Sequence, residues 1–171
     1  MAKKTYQFFD QFNCLYQHIQ AATELNNNIL KASFQISSEL KQKEILLDDV
    51  EVSGDKIARK QGLWQDTCFE IFIKNKMGDD YYEINFSPEN ILWNAYYFKT
   101  YRDTLIETNQ ISLLHYSHHS SKLELSFKIP EGDYDFYPKV ILFQQLNNKT
   151  IFLSHLPHPK TGPDFHLFSV S

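Results

Sequence analysis

The sequence predicts an all-β protein, an antiparallel β-sandwich of the jelly-roll type with about eight to ten strands. Aromatic residues make up 15% of the 171 residues, and glycine occurs only 5 times, a composition that suits half-buried pleated surfaces. Several segments alternate apolar and polar residues, as strands with one buried face do. Turn signals separate these segments at intervals of roughly 8–12 residues, which is typical of sandwiches and barrels.

The first predicted hairpin joins residues 15–25 to residues 29–37. Asn26, Asn27 and Asn28 form the turn between them, and apolar side chains alternate along the second strand. The polar stretch that follows contains one apolar break at Ile45–Leu47, which predicts a strand and then a long loop ending at Gly62.

The middle of the chain predicts a meander. Strands are expected at 67–73 and 81–86 around a turn at 75–80, and a third strand at 91–98. Four more are expected at 111–116, 122–129, 139–145 and 150–155, and an irregular C-terminal segment with three prolines follows. With neither a repeat nor a low-complexity linker, the whole chain, 1–171, is expected to form one domain.

Charge and motif content exclude several classes of protein. The net charge of −4 argues against a protein that binds the nucleic-acid backbone, and no apolar run is long enough for a membrane span. Neither G-x-G-x-x-G nor the P-loop motif occurs. The N-terminal segment lacks the apolar stretch of a signal peptide, which predicts a cytoplasmic protein with Cys14 and Cys68 as free thiols, Cys68 buried.

Two carboxylates lie in the middle of predicted strands. Glu70 shares a face with Cys68 and Phe72, while Glu83 shares one with Tyr81 and Asn85. Because an unpaired buried charge is costly, each glutamate must contact solvent, a protein partner or a ligand. The pair fits either glycosidase chemistry or a bracing role, and the unknown hairpin register leaves open whether the two share one side of the sheet.

Aromatic and polar residues mix densely over the same stretch of chain. Sugar sites combine a ring face for the apolar side of the pyranose with planar polar groups for its hydroxyls. The same mixture also builds an ordinary sandwich core. The candidate ligand-binding residues here are Trp64, Glu70, Glu83, Asn85, Trp93, Tyr96 and Arg102.

The C-terminal segment carries a second group of candidates. His155, His158, Asp164 and His166 lie within twelve residues, and they could ligate zinc or brace a loop through hydrogen bonds. We expect this segment to fold back over the sheet edge near Arg102, because the polar groups of the meander need hydrogen-bonding partners from elsewhere.

The motifs in these segments resemble those of DOMON-like domains. The resemblance rests on residues 62–72, residues 82–88 with Trp93 and Tyr96, Tyr101-Arg102, and the C-terminal His158-Pro159 and Pro163–His166, and it spans roughly residues 59–168. The sequence resembles stand-alone bacterial DOMON-like proteins, a family related in fold to family 9 carbohydrate-binding modules. The resemblance implies a β-sandwich that binds sugar or haem.

The sequence thus predicts a non-catalytic domain that binds a sugar or a sugar-containing metabolite, with no catalytic residues or metal site assigned and no cofactor identified. Three alternatives stay open: a haem- or metal-binding DOMON-type domain, an enzyme that acts on carbohydrate, and a protein-interaction domain. The expected partner is a small molecule or carbohydrate rather than nucleic acid or a membrane. The oligomeric state is left open.

Overall fold

The structure, a computed structural model, describes residues 3–43, 49–144 and 148–168. These residues form one short helix, α1 (Ser38–Lys43), and twelve strands. The strands are β1 (Lys4–Phe9), β2 (Leu15–Asn26), β3 (Ile29–Ile36), β4 (Val50–Ser53), β5 (Cys68–Asn75), β6 (Tyr81–Ser87), β7 (Leu92–Phe98), β8 (Ile106–Glu107), β9 (Ser112–His119), β10 (Lys122–Lys128), β11 (Tyr134–Gln144) and β12 (Lys149–Ser154).

The strands pair into a single sheet in the order β4-β9-β10-β3-β2-β1-β12-β11-β5-β6-β7-β8, and the pairings between these strands are antiparallel. The predicted all-β antiparallel class is therefore confirmed. The predicted number of eight to ten strands is wrong, because β1, β4 and β8 were not recognised. Strand β8 has two exposed residues and β4 has four residues of which none is buried, so neither shows a clear buried face in the sequence.

This sheet curls so that its two halves face each other. Phe34 on β3 and Phe69 on β5 pack with ring centroids 4.8 Å apart, although five steps of the strand order separate them. Phe86 on β6 likewise packs at 4.6 Å against Tyr116 on β9. The main hydrophobic core lies between the two halves. The predicted sandwich is thus replaced by one continuous curled sheet, whose halves join where β1 pairs with β12.

The predicted first hairpin is confirmed by β2 and β3. Asn27 and Asn28 at its turn have φ values of 48° and 60°, the left-handed conformation that a two-residue hairpin turn requires. The strand predicted at 45–47 lies outside the described residues. In the part of the chain that the structure describes, no helix is long and apolar enough to span a membrane.

Strands β5 and β6 are buried on both faces. All seven residues of β6 are buried, as are the first six of β5. One face contributes to the main core, and residues 155–168, the C-terminal tail, cover part of the other. We call this second face of β5, β6, β7 and β11 the tail-covered face. It carries a second apolar cluster of Leu63, Cys68, Phe72, Tyr81, Tyr96, Phe98, Ile141 and Phe165.

Candidate functional site

A cavity of about 430 Å³ lies between the tail-covered face and the C-terminal tail. This volume falls within the range of roughly 300–1,000 Å³ that small-molecule sites occupy. Most of its walls are aromatic or aliphatic, with charged groups among them. The lining residues are Trp64, Glu70, Phe72, Glu83, Phe98, Arg102, Asp103, Leu105, Ile141, Phe152, Pro163, Phe165 and His166.

Strand register brings the charged residues of three strands to this face. Glu70 on β5 pairs directly with Asn85 on β6 and with Lys139 on β11. Glu83 pairs with Phe72, two residues along β5 from Glu70. Because residues directly opposite each other in a sheet point to the same side, all of these side chains share the tail-covered face. The register thus places Glu70 and Glu83 on the same side of the sheet.

Glu70 lies at the floor of the cavity with only 2% of its surface exposed. Among residues 3–43, 49–144 and 148–168, its carboxyl group has no hydrogen-bond partner. Burial raises the pKa of Glu70 well above its ordinary value, the nearby Glu83 carboxylate raises it further, and the Lys139 ammonium opposes both effects. Because the carboxyl group lines the cavity and buried polar groups are normally hydrogen-bonded, it is open to a donor from a molecule in the cavity.

Glu83 lies beside Glu70, and its carboxyl group has a hydrogen-bond partner. Its Oε1 accepts a hydrogen bond of 2.8 Å from Asn85 Nδ2, and its Oε2 lies 3.9 Å from His166 Nε2. Burial raises the pKa of Glu83 to about 7, although the Asn85 hydrogen bond and the Lys139 charge act in the opposite direction. Near neutral pH the Glu83 carboxyl group can therefore hold or release a proton.

Lys139 is fully buried on the same face, and its ammonium group fastens the tail to the sheet. The Nζ atom donates to the carbonyl oxygens of Phe165, at 2.5 Å, and Leu167, at 3.3 Å. It also lies 5.3 Å from the ring centroid of Phe72 and 5.2 Å from that of Phe165. Burial lowers the pKa of Lys139 to about 7, and the charge of Glu70 partly offsets this effect.

Sequence reasoning missed Lys139. The signal is the same as for Glu70, a charged residue within an apolar strand, since Lys139 stands between Pro138 and the apolar run Val140-Ile141-Leu142. A charged residue inside a buried strand requires a partner, whatever the sign of its charge.

Hydrogen bonds hold His166 over the cavity. The Tyr81 hydroxyl accepts from the backbone N–H of Arg102 at 3.2 Å and shares a hydrogen bond of 2.6 Å with His166 Nδ1. The other ring nitrogen, Nε2, lies 3.9 Å from Glu83 Oε2. Burial lowers the pKa of His166 to about 4, so the ring is neutral at pH 7.

The rim of the cavity is formed by an aromatic ring and an ion pair. Trp64 is 37% exposed and packs edge-on against Tyr96 with centroids 5.8 Å apart. It stands in a 3₁₀ turn that follows Gly62, whose φ of 77° favours glycine at that position. On the other side, Arg102 Nη2 lies 3.3 Å from Asp164 Oδ1. The tail therefore folds back near Arg102, as the sequence predicts.

The structure separates the predicted site residues into three groups. The cavity is lined by Trp64, Glu70, Glu83, Arg102 and His166. Three residues contact these lining residues from outside the cavity wall: Asn85, Tyr96 and Asp164. The remaining three lie elsewhere: Trp93, His155 and His158.

Trp93 is placed in the main core rather than at the cavity. It pairs with Phe86, one position along β6 from Asn85, and it therefore points to the opposite face of the sheet. The Arg59 guanidinium lies 5.0 Å from the centroid of the Trp93 ring, and Trp93 Nε1 donates a hydrogen bond to the Ile57 carbonyl oxygen. Sequence reasoning had no means of separating Trp93 from Trp64, since the distinction depends on the register.

The histidines considered as zinc ligands do not converge. His158 Nε2 lies 3.1 Å from the carbonyl oxygen of Phe152, while His155 packs between the rings of Tyr6 and Tyr137. Within the described ranges, no group of three or more His, Cys, Asp or Glu side chains is arranged to hold a metal ion.

Comparisons with known proteins support the fold. No family model and no curated protein matches the chain. A solved structure from Bacteroides uniformis, described as a "putative carbohydrate-binding protein", matches with a TM-score of 0.56 over 95% of this chain and 82% of that chain. The identity is 11%, so the likeness shows a shared fold. The resemblance to DOMON-like domains stays a prediction.

Proposed function

We propose that the cavity binds a sugar or a sugar-containing metabolite. The observation that carries this proposal is the pairing of an exposed aromatic ring, Trp64, at the rim with an unpartnered carboxyl group, Glu70, at the floor. A pyranose has an apolar face that stacks on an aromatic ring and hydroxyl groups that donate to carboxyl oxygens. The cavity thus offers one complementary surface for each side of such a ligand.

Two further observations support this proposal. The Bacteroides protein that shares the fold carries a description as a carbohydrate binder, and its match covers most of both chains. The charged groups of the cavity wall, among them Arg102 and Glu83, are held in place by bonds to Asp164 and Asn85. Such fixed polar groups recognise a ligand without having to be reordered when it binds.

A calorimetric titration with a panel of monosaccharides and disaccharides tests the proposal. We expect at least one sugar to bind, and Trp64→Ala to weaken its binding by tenfold or more, with urea unfolding used to show that the variant is folded under the titration conditions. Phe12→Ala is the matched control, because Phe12 is an aromatic residue that is 70% exposed and lies outside the cavity lining. Equal affinity of Trp64→Ala and the parent would contradict the proposal.

A second candidate function is acid–base chemistry on a sugar. It is favoured by the two carboxyl groups, Glu70 and Glu83, whose pKa values burial raises in the same cavity. Incubating the parent protein and Glu83→Gln with nitrophenyl glycosides separates the two functions. Turnover by the parent that Glu83→Gln abolishes establishes an enzyme, whereas binding without turnover supports a binding protein.

A further inference from the structure

We propose that the cavity selects a sugar that carries an amino group, and that the ammonium of this sugar is held by the carboxyl group of Glu70. This inference rests on the proposed function, since it names the class of sugar that the same cavity takes.

Two acceptors at or directly behind the floor of the cavity have no donor among the described residues. The first is the carboxyl group of Glu70, which lines the cavity. The second is Asn85 Oδ1, which lies outside the cavity wall, is fully buried and has no hydrogen-bond partner within the described part of the chain. These two residues lie directly opposite each other on β5 and β6. Because an unmade buried hydrogen bond is costly, a ligand gains most affinity here by supplying donors.

The protein's own cations are engaged elsewhere. Lys139 faces Glu70 across the strands but donates to the Phe165 and Leu167 carbonyl oxygens. Arg102 lies at the rim and pairs with Asp164. Neither cation therefore forms a hydrogen bond with the Glu70 carboxyl group or with Asn85 Oδ1.

Charge balance distinguishes an ammonium from a hydroxyl group. The buried part of the site contains two carboxyl groups, Glu70 and Glu83, and one amine, Lys139. A ligand hydroxyl supplies a donor and no charge, whereas an ammonium supplies donors together with a positive charge that pairs with the second carboxylate once that group ionises. An anionic sugar would add negative charge beside these carboxyl groups, which the site disfavours.

Binding of an ammonium should release a proton. Burial raises the pKa of both carboxyl groups, and the charge of Glu83 raises that of Glu70 further, so in the free protein the pair retains a proton near neutral pH. The arriving ammonium stabilises both ionised carboxylates, and the displaced proton passes to the buffer. The other titratable and charged groups around the pair and the cavity are Cys68 on β5, Tyr81 on β6, Tyr96 on β7, Lys139 on β11, Arg102, Asp164 and His166 beside the tail, and Asp103 in the cavity lining.

Matched pairs of sugars test this inference by calorimetry. The probes are glucosamine with glucose, galactosamine with galactose, and mannosamine with mannose, together with N-acetylglucosamine, which keeps the nitrogen but loses its charge. We expect at least one amino sugar to bind tenfold or more tightly than its neutral parent, and the N-acetyl derivative to lose this gain. Titration in two buffers of different ionisation enthalpy should show release of a proton for the amino sugar alone.

Glu70→Gln provides the residue-level test, and Glu124→Gln is its control. The Glu70→Gln change keeps the shape of the side chain and one acceptor but removes the charge, so the ratio of amino-sugar to neutral-sugar affinity should fall to within about threefold. Glu124 is a glutamate of β10 that is exposed and outside the cavity lining, and its replacement should leave the ratio unchanged.

The outcomes separate the two proposals. If neutral sugars bind as tightly as amino sugars, or if Glu70→Gln keeps the preference, the inference is wrong and the proposed function stands. If no sugar binds, both are wrong. Should Glu70→Gln not fold, the sugar pairs and the proton release in the parent protein still decide the inference.

Discussion

Lys139 and Glu70 lie directly opposite each other on β11 and β5, yet the Lys139 ammonium donates to backbone carbonyl oxygens of the C-terminal tail rather than to the Glu70 carboxyl group. The lysine therefore has two effects. It fastens the tail over the cavity, and its charge limits the cost of burying two carboxyl groups nearby.

Replacing Lys139 with Met should destabilise the protein. The tail carbonyls would lose their donor, and the buried carboxyl groups would lose the cation beside them, a change that costs roughly 3 kcal/mol in comparable buried pairs. The free energy of unfolding in urea measures the effect. Lys76→Met is the control, because its ion pair with Asp133 is exposed, and exposed ion pairs contribute little to stability. Equal losses in the two variants would contradict this role of Lys139.

Glu83→Gln should change how stability depends on pH. The folded-state pKa of about 7 lies above the ordinary value of 4.5, so the parent loses stability as pH rises from about 4.5 to 7. Glutamine does not titrate, and the variant escapes this loss. The stability of Glu83→Gln relative to the parent should therefore be greater at pH 8 than at pH 5, by up to roughly 3 kcal/mol. Urea unfolding at both pH values tests the sign of this difference. A ΔΔG of unfolding that does not change with pH would refute the prediction.

His155 and His166 should stay neutral between pH 5 and 8. Burial, together with the charge of nearby cations, lowers the pKa of each imidazole to about 4. Their contribution to stability is present above pH 6.5 and is lost as the pH falls toward 4. Two-dimensional NMR of the imidazole nitrogens reports this directly. A titration midpoint near 6.5 for either ring would show that it is exposed to solvent.

Tyr81→Phe should loosen the tail. The hydroxyl group accepts from Arg102 N–H and shares a hydrogen bond with His166 Nδ1, and losing two such bonds costs roughly 1–3 kcal/mol. Tyr97→Phe is the control, since Tyr97 is half-buried on β7 and its hydroxyl has no hydrogen-bond partner within the described ranges. Thermal unfolding of both variants should show the larger loss in Tyr81→Phe. A loss in Tyr97→Phe as large as that in Tyr81→Phe would argue against the hydroxyl bonds.

The two thiols should react at very different rates. Cys14 is exposed, whereas Cys68 is buried and its pKa is raised by burial and by the nearby carboxyl groups. A thiol reagent should modify one cysteine per chain quickly and the second only as the protein unfolds. Cys14→Ser should remove the fast phase. A persistent fast phase in that variant would show that Cys68 is accessible.

Strands with one exposed face were the easiest to predict. The stretches that became β3 and β10 alternate cleanly, because one side packs in the main core and the other meets solvent. Strands β5 and β6 were recognised as two runs rich in apolar and aromatic residues on either side of the turn at 75–80, although Glu70 and Glu83 interrupt them. Strand β1 was missed because only Tyr6 and Phe8 mark its buried face, and β8 because neither of its residues is buried.

The sequence by itself determined the all-β class, most of the strands, and the requirement that Glu70 and Glu83 find partners, because these depend on local patterning and on the cost of a buried charge. Only the tertiary structure decided which side chains meet. A shift of one residue in register would turn Glu83 away from Glu70, and the same alternation separates Trp93 in the core from the cavity. The tail closes the site through contacts between residues far apart in the chain, such as Lys139 with Phe165, and no local pattern encodes them.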